Sequence, residues 1–287
     1  MEDIYKLKLD QFPKALLEIP QPPKTLYIRG KLPDPKMVFL TVVGSRRYTS
    51  YGKEICQKII AGLAGYPIVI VSGLAIGIDS IVHRSALDTG LTTIAFPGSG
   101  LDNSVIHPRS NIKLADEIVK KGGCLISEQI PSFIATLYSF PQRNRLMAGI
   151  SKAVLIIEAE EKSGTLITAR MALDYNRDVL AVPGSAFSSN SNGTNWLIKQ
   201  GAVPVTNSND VLEALGFEIE RQKQTDEEKY ADCSADELKI LKLLREPIER
   251  DELIRVSGMK TSDANALLSI MELRELIKEE LGQIRKN

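Results

Sequence analysis

The sequence predicts an α/β protein built on a doubly wound, mostly parallel sheet, with a small winged-helix-like domain at its C-terminal end. Three observations predict it. Short apolar runs rich in β-branched residues alternate with helical patterns. Those runs are apolar at nearly every position, as a strand covered on both faces must be. After residue 232 the pattern changes to short helices and a closing hairpin.

In chain order, residues 1–37 contain QPPKTLYIRGKLPDPK, rich in Pro and Lys, and read as an extended lead-in packed on the main domain with no fold of its own. The main domain, 38–217, carries the strands VFLTVV (38–43), IVIVS (68–72), TTIAF (92–96), CLIS (124–127), AVLIIEA (153–159) and VLAVP (179–183). The stretch EIERQKQTDEEKYAD (218–232) has no Gly or Pro and few apolar residues, and reads as a solvated linker. Residues 233–287 then give helices at 235–245, 249–256 and 261–273, the last with Ala266, Leu267, Ile270 and Leu273 as its apolar residues, and a hairpin in ELIKEELGQIRK. Three short helices and a β-ribbon suggest a winged helix. A small helical module that contacts only protein fits the same pattern.

The 287 residues are 43% apolar and 25% charged, which excludes a disordered or fibrous chain. Three cysteines, Cys56, Cys124 and Cys233, lie far apart with no C-x-x-C pair, so neither a disulfide framework nor a zinc site is expected. The charged start MEDIYKLKLDQFPK is unlike a signal peptide, and no run reaches the roughly 18 apolar residues that span a bilayer. A cytoplasmic protein without membrane contact is therefore expected. The 36 basic and 36 acidic residues cancel, which at first sight argues against a polyanionic partner. Divided at residue 215, however, the chain has 23 basic against 19 acidic residues before and 13 against 17 after, a difference of four in opposite senses. Nucleic-acid binding would then rest on a few placed arginines, with modest affinity for nonspecific duplex, and the acidic domain reads as a protein-contact or regulatory module.

In an open α/β sheet ligands bind beyond the carboxyl ends of the strands. Here those ends read Gly44-Ser45-Arg46-Arg47, Ser72-Gly73-Leu74-Ala75-Ile76-Gly77-Ile78-Asp79, Pro97-Gly98-Ser99-Gly100-Leu101-Asp102, Glu161-Lys162-Ser163-Gly164-Thr165 and Pro183-Gly184-Ser185. Any one such cluster is explained by the turn it makes. Five together, with Arg46, Arg47 and Lys162 among them, favour a phosphate-bearing ligand, because glycine admits close backbone approach and helix starts attract anions. No G-x-G-x-x-G opens a helix and no G-x-x-x-x-G-K-[ST] occurs, so neither a dinucleotide cofactor nor a P-loop nucleotide is expected.

No catalytic set is legible. His83 and His107 are the two histidines, in no hydrolase or metalloprotease context. Asp79 and His83 stand four apart on one helix face and read as a capping carboxylate with a hydrogen-bonded partner. Glu158, Glu160 and Glu161 read as a solvated acidic turn in preference to a metal site. The segment Phe140-Pro141-Gln142-Arg143-Asn144-Arg145 opens the helix before strand 153–159. Arginine forks grip phosphate and an aromatic ring offers a base platform, the pairing used for single-stranded nucleic acid. Ion pairs for Arg143 and Arg145 and a core position for Phe140 are the other reading of the same residues.

The series Gly44-Ser45-Arg46, Ser72-Gly73-x-Ala75-x-Gly77-Ile78-Asp79, Pro97 to Asp102, Phe140-Pro141-x-Arg143-Asn144-Arg145, Lys162-Ser163-Gly164-Thr165 and Asn192-Gly193-Thr194 resembles the DprA (Smf) family of DNA-processing proteins over about residues 10–215. The tail 233–287 is similar to the winged-helix domain many members carry, whereas their sterile-alpha-motif-like N-terminal domain has no counterpart expected here. The resemblance implies an extended Rossmann-like domain that binds single-stranded DNA without catalysis or cofactor. It also implies a homodimer that protects incoming strands in natural transformation and helps load the RecA recombinase. It implies Arg46 and Arg143-Asn144-Arg145 as DNA-backbone contacts, beside Arg47 and Phe140. Gly44, Ser45, Ser72, Gly73 and Lys162-Ser163-Gly164-Thr165 would shape the pocket. His107-Pro108 stands where the family commonly has Tyr-Pro, which leaves open the aromatic contact there. The rival is a nucleotide-processing enzyme of the lysine-decarboxylase-like (LOG) group, whose P-G-G-x-G-T-x-x-E signature the Ser163-Gly164-Thr165 turn partly resembles. Position 168, where its glutamate would fall, is Thr168. A nucleotide sensor on the same fold is the third reading.

Overall fold

The structure is a computed structural model and describes residues 3–218, 230, 232–280 and 282–286. Its contacts divide the chain into two units, Met1–Ile219 and Glu220–Asn287.

The first unit holds nine strands: β1 (Ile4–Lys6), β2 (Tyr27–Gly30), β3 (Val38–Val43), β4 (Ile68–Ser72), β5 (Thr92–Ala95), β6 (Cys124–Ser127), β7 (Ala153–Ile156), β8 (Asp178–Ala181) and β9 (Val203–Pro204). They form one sheet in the order β1-β2-β6-β5-β4-β3-β7-β8-β9. Strands β3 to β9 pair in parallel, and β1 and β2 join one edge antiparallel. This is the doubly wound α/β sheet predicted from the apolar runs. From β3 the chain winds outward through β4, β5 and β6, then returns beside β3 as β7 and winds the other way. The crevice beyond the ends of β3 and β7 is thus the topological switch point.

Helices cover both faces because successive strand residues point to opposite sides. On one face Leu40, Val42, Ile68, Ile70 and Leu155 pack against α2 (Ser50–Ala61), α3 (Ile78–Asp88) and α8 (Ser208–Ala214) through Ile59, Val82 and Val211. On the other, Val43, Val69, Val71, Val154 and Ile156 meet α5 (Ser139–Ile150), α6 (Thr165–Asp174) and α7 (Asn192–Lys199) through Leu146, Ala169 and Leu197. Between these lie α1 (Lys14–Leu17) in the lead-in and α4 (Ile112–Lys120) against β6.

The lead-in is part of the sheet itself. Leu26 and Ile28 are fully buried, and Tyr27 to Gly30 run antiparallel to Ser127 to Cys124. Buried Arg29 binds Asp116 and Asn103, which ties this edge to α4.

The second unit contains helices Ala235–Leu243, Arg250–Ser257 and Thr261–Leu273 and a three-stranded sheet of β10 (Ile248–Glu249), β11 (Ile277–Glu280) and β12 (Gln283–Lys286), in the order β10-β12-β11. Ser234 and Glu237 cap the first helix reciprocally. The inner face of the last helix is offset from the apolar residues named from sequence. Ala264, Leu268 and Met271, spaced four and three apart, are buried and Leu267 is half-buried against them, whereas Ala266, Ile270 and Leu273 are exposed. Most of the expected linker 218–232 lies outside the described residues. Among the described residues no helix is long and apolar enough to cross a membrane.

Candidate functional site

Beyond β3 the chain turns through Gly44-Ser45-Arg46-Arg47. A Cβ on Gly44 would stand 2.9 Å from the Ile78 side chain, so glycine lets the turn pass close over the start of α3. The Ser45 hydroxyl donates to the Arg47 carbonyl at 2.8 Å and accepts from the Arg47 N–H at 3.0 Å. The turn is tied to itself, and the Arg46 and Arg47 side chains are left in solvent. Neither pairs with an acid among the described residues.

Beyond β7 the acidic turn is not uniformly solvated, contrary to the sequence reading. Glu158 is buried, accepting from the Thr49 N–H at 3.0 Å and the Thr49 hydroxyl at 2.5 Å. It anchors the N-cap of α2, whose Thr49 in turn accepts from Gly52 N–H at 3.1 Å. Glu161 and Lys162 are exposed. Ser163-Gly164-Thr165 then opens α6: Ser163 Oγ accepts from the Thr165 N–H at 3.2 Å, and the Thr165 hydroxyl donates to the Gly44 carbonyl at 3.3 Å. The two turns are thereby joined, with the positive end of α6 at the switch point.

The third wall is α5. The Phe140 ring lies over Gly98, where a Cβ would meet it at 2.5 Å. The Arg46 guanidinium carbon stands 5.7 Å from the centroid of that ring. The exposed His107 ring is tilted 54° against Phe140 at 5.7 Å, so an aromatic contact persists where the family commonly has tyrosine. One turn deeper, buried Arg143 donates from Nη1 to the carbonyls of Gly73 and Phe96. Asp79 accepts the Gly73 N–H at 3.1 Å. Burial pushes the Asp79 carboxyl up, opposed by the Arg143 charge and by N–H bonds from Ala75, Gly73 and Gly44. Burial also draws Arg143 down to about 10, with Asp79 pulling it up and Arg46 down.

These three walls enclose an open pocket of about 520 Å³. Of the residues nominated from sequence, Gly44, Ser45, Arg46, Arg47, Phe140, Arg143, Asn144, Ser163, Gly164 and Thr165 line it. Four do not. Ser72 is fully buried and donates to the Val42 carbonyl at 2.7 Å, so its hydroxyl is used inside the sheet. Gly73 lies under Arg143 and Asp79, which occupy the space beside it. Arg145 points away, paired with Glu128 and donating to the Gln21 carbonyl at 2.6 Å. Lys162 is exposed beside the lining residues and is not one of them. Arg143 lines the floor, but its Nη1 serves two carbonyls, so it is first a structural cation. Asp79 and His83 do not bond to each other: His83 Nδ1 lies 2.8 Å from the Thr93 hydroxyl, and Asp79 holds the loop before α3.

The structure adds Met147, Glu160, Ile167 and Thr168 to the lining. Thr168 was legible as a pocket residue, since three residues beyond Thr165 on one helix is the same face. Arg46, Arg47 and Arg143 outnumber Asp79 and Glu160 in this lining, and the balance suits an anion.

The model of the family "DNA recombination-mediator protein A" matches residues 4–216. The chain belongs to that family. Its recombination-mediator domain is 41% identical over 208 residues to the DNA processing protein DprA of Streptococcus pneumoniae, covering 72% of each chain. It is 41% identical over 206 residues to protein Smf of Escherichia coli, covering 72% of this chain and 54% of that one. The chain thus matches only about half the length of the E. coli relative. Among solved structures, S. pneumoniae DprA superposes with a TM-score of 0.68 at 37% identity, over 75% of each chain. DNA processing protein A from Helicobacter pylori, described for its single-stranded DNA binding mode, superposes with a TM-score of 0.66 at 33% identity, over 75% of this chain and 96% of that one. The DprA/Smf resemblance carried by the rim motifs is therefore correct, and these relatives share the Rossmann-like sheet.

Proposed function

We propose that this recombination-mediator family member binds single-stranded DNA at the switch-point pocket and acts in DNA processing during natural transformation. The observation that carries the reading is Arg46: exposed, unpaired among the described residues, and held over the Phe140 ring at the mouth of a pocket that the positive end of α6 helps to line. Guanidinium takes phosphate while the ring offers a face to a base. The H. pylori relative's single-stranded DNA binding mode supports the same ligand. Arg47, Asn144, Ser163 and Thr165 are the further DNA contacts, and Lys162 adds charge from just outside the lining.

The reading extends to a cytoplasmic homodimer that protects incoming strands and helps load RecA, acting as a binding protein and not as an enzyme. The family's description as a recombination mediator supports a recombinase partner. The small unit Glu220–Asn287 is read as a winged-helix-like module for protein contact or regulation.

Titration of the full chain with labelled oligo-dT at several salt concentrations tests the central claim. Log K should fall with log salt by about 0.7 for each phosphate neutralised. No binding at low salt overturns the reading. A mononucleotide bound more tightly than oligo-dT, or base released from a nucleoside monophosphate, would favour the nucleotide-sensing or LOG-like alternative.

A further inference from the structure

The segment 129–138, which joins β6 to α5, presents four large apolar side chains to water. Ile130 is 57% exposed, Ile134 73%, Leu137 85% and Tyr138 83%. An isolated exposed apolar residue is ordinary, but four within nine positions are an unusual concentration on one loop. The backbone that presents them is fixed to the body of the domain. Gly100 N–H donates to the Phe133 carbonyl at 2.8 Å, and Asp102 N–H to the Pro131 carbonyl at 3.0 Å. Ser139 closes the other end, its hydroxyl donating to the Thr136 carbonyl at 2.8 Å and accepting from the Thr136 N–H at 3.1 Å. The apolar side chains are therefore held out by an ordered loop.

Two features bear on what could cover them. The loop reaches the pocket, because Leu137 lines it together with Phe140 and Arg46. The segment QIPSFIATLY also contains no charged residue, so it brings no cation to a phosphate. A strand whose phosphates lie at the arginine-bearing turn would bring bases, not charge, over this loop. Unstacked bases need apolar or aromatic faces, and every base has a π-face that such side chains accept.

We propose that Leu137 and Tyr138, continued by Ile134 and Ile130, form a base track that extends the single-stranded DNA site beyond the pocket. The inference rests on the single-stranded DNA reading of that pocket. It divides the work: the Gly44–Arg47 turn holds phosphate, and the loop holds bases without regard to sequence.

The test compares the full chain with Leu137→Ser/Tyr138→Ser on two labelled strands, oligo-dT and a deoxyribose-phosphate strand of equal length without bases. Both changed side chains are exposed, and matching thermal unfolding curves verify the fold. Loss of a base contact should weaken oligo-dT binding about tenfold, leave its salt slope unchanged and leave the abasic strand unaffected. Tyr138→Phe, which keeps the ring, should bind as the parent does. No loss on oligo-dT, or an equal loss on both strands, overturns the base track. So does a variant that changes oligomeric state while binding DNA normally, since the loop would then cover a second copy of the chain. If the parent chain binds neither strand, the reading of the pocket itself fails and this one falls with it.

Discussion

Arg143 donates to the Gly73 carbonyl from beneath the switch-point pocket, on the same glycine whose N–H is held by Asp79. The bond makes Arg143 a brace between α5 and the β4–α3 loop, and it separates this arginine from Arg46. Arg143→Ala would take the neighbouring positive charge away from buried Asp79 and leave two buried carbonyls without a donor. Each buried polar group left unpaired costs about 1 to 3 kcal/mol. The expected result is a large drop in the urea midpoint, with DNA binding lost only as the fold is lost. A variant that remains as stable as the parent but no longer binds oligo-dT would instead make Arg143 a direct contact.

Arg46 behaves in the opposite way. Its side chain is exposed and touches the Phe140 ring, so Arg46→Ala should leave stability unchanged. Removal of one phosphate contact should flatten the salt dependence of oligo-dT binding by about 0.7. Arg145→Ala should do the reverse, with measurable loss of stability from the broken Glu128 pair and an unaltered salt slope. Measuring both variants over one salt series separates the two roles.

The parallel sheet was legible because strands buried on both faces cannot hide their apolar runs, whereas the edge strands β1, β2 and β9 carry no such run. Part of the rim was legible too: the turns 44–47 and 163–165 line the pocket, whereas Pro97 to Asp102 and Pro183-Gly184-Ser185 supply no lining residue. Direction was harder to read. Arg143 and Arg145 stand two apart on a helix, about 200° around its axis, and cannot face one pocket together. That spacing was available in the sequence as a warning, but it does not say which arginine faces inward. Ser72 misled for a related reason: it ends a strand as a contact residue would, and only the neighbouring strand shows that its hydroxyl is taken by Val42. The lead-in was read as an extended segment packed on the main domain; that it supplies a paired strand was masked by its Pro and Lys content, which hides the short alternation of Leu26 and Ile28 with Tyr27 and Arg29.

His83 should make stability depend on pH. Burial lowers its imidazole from 6.5 to about 3, with Arg143 adding to the effect. Between those values the unfolded chain binds a proton that the folded chain does not, so stability falls as pH drops from about 6.5 toward 3 and levels off below. The slope approaches about 1.4 kcal/mol per pH unit for one group. Asp79 acts in the opposite sense, because a carboxyl raised in the fold keeps a proton that the unfolded chain has released. The difference between the parent and His83→Gln isolates the imidazole. Urea midpoints at pH 7 and pH 5 should differ more in the parent than in the variant.

Gly98 offers a way to move the Phe140 platform without substituting a residue that lines the pocket. Its backbone conformation suits any L-residue, so the cost of Gly98→Ala lies in the methyl group, which would stand 2.5 Å from the Phe140 ring. A ring edge on a side chain can shift where backbone cannot, and the shift carries Phe140 away from its position under Arg46. Binding of oligo-dT should weaken severalfold through the lost base face, while the salt slope stays as in the parent because no charge has changed. Phe140→Leu in the Gly98→Ala background should relieve the crowding and recover stability without recovering affinity. Retention of full affinity in Gly98→Ala would mean that the ring position does not matter for the bound strand, and that the rim arginines hold it by charge alone.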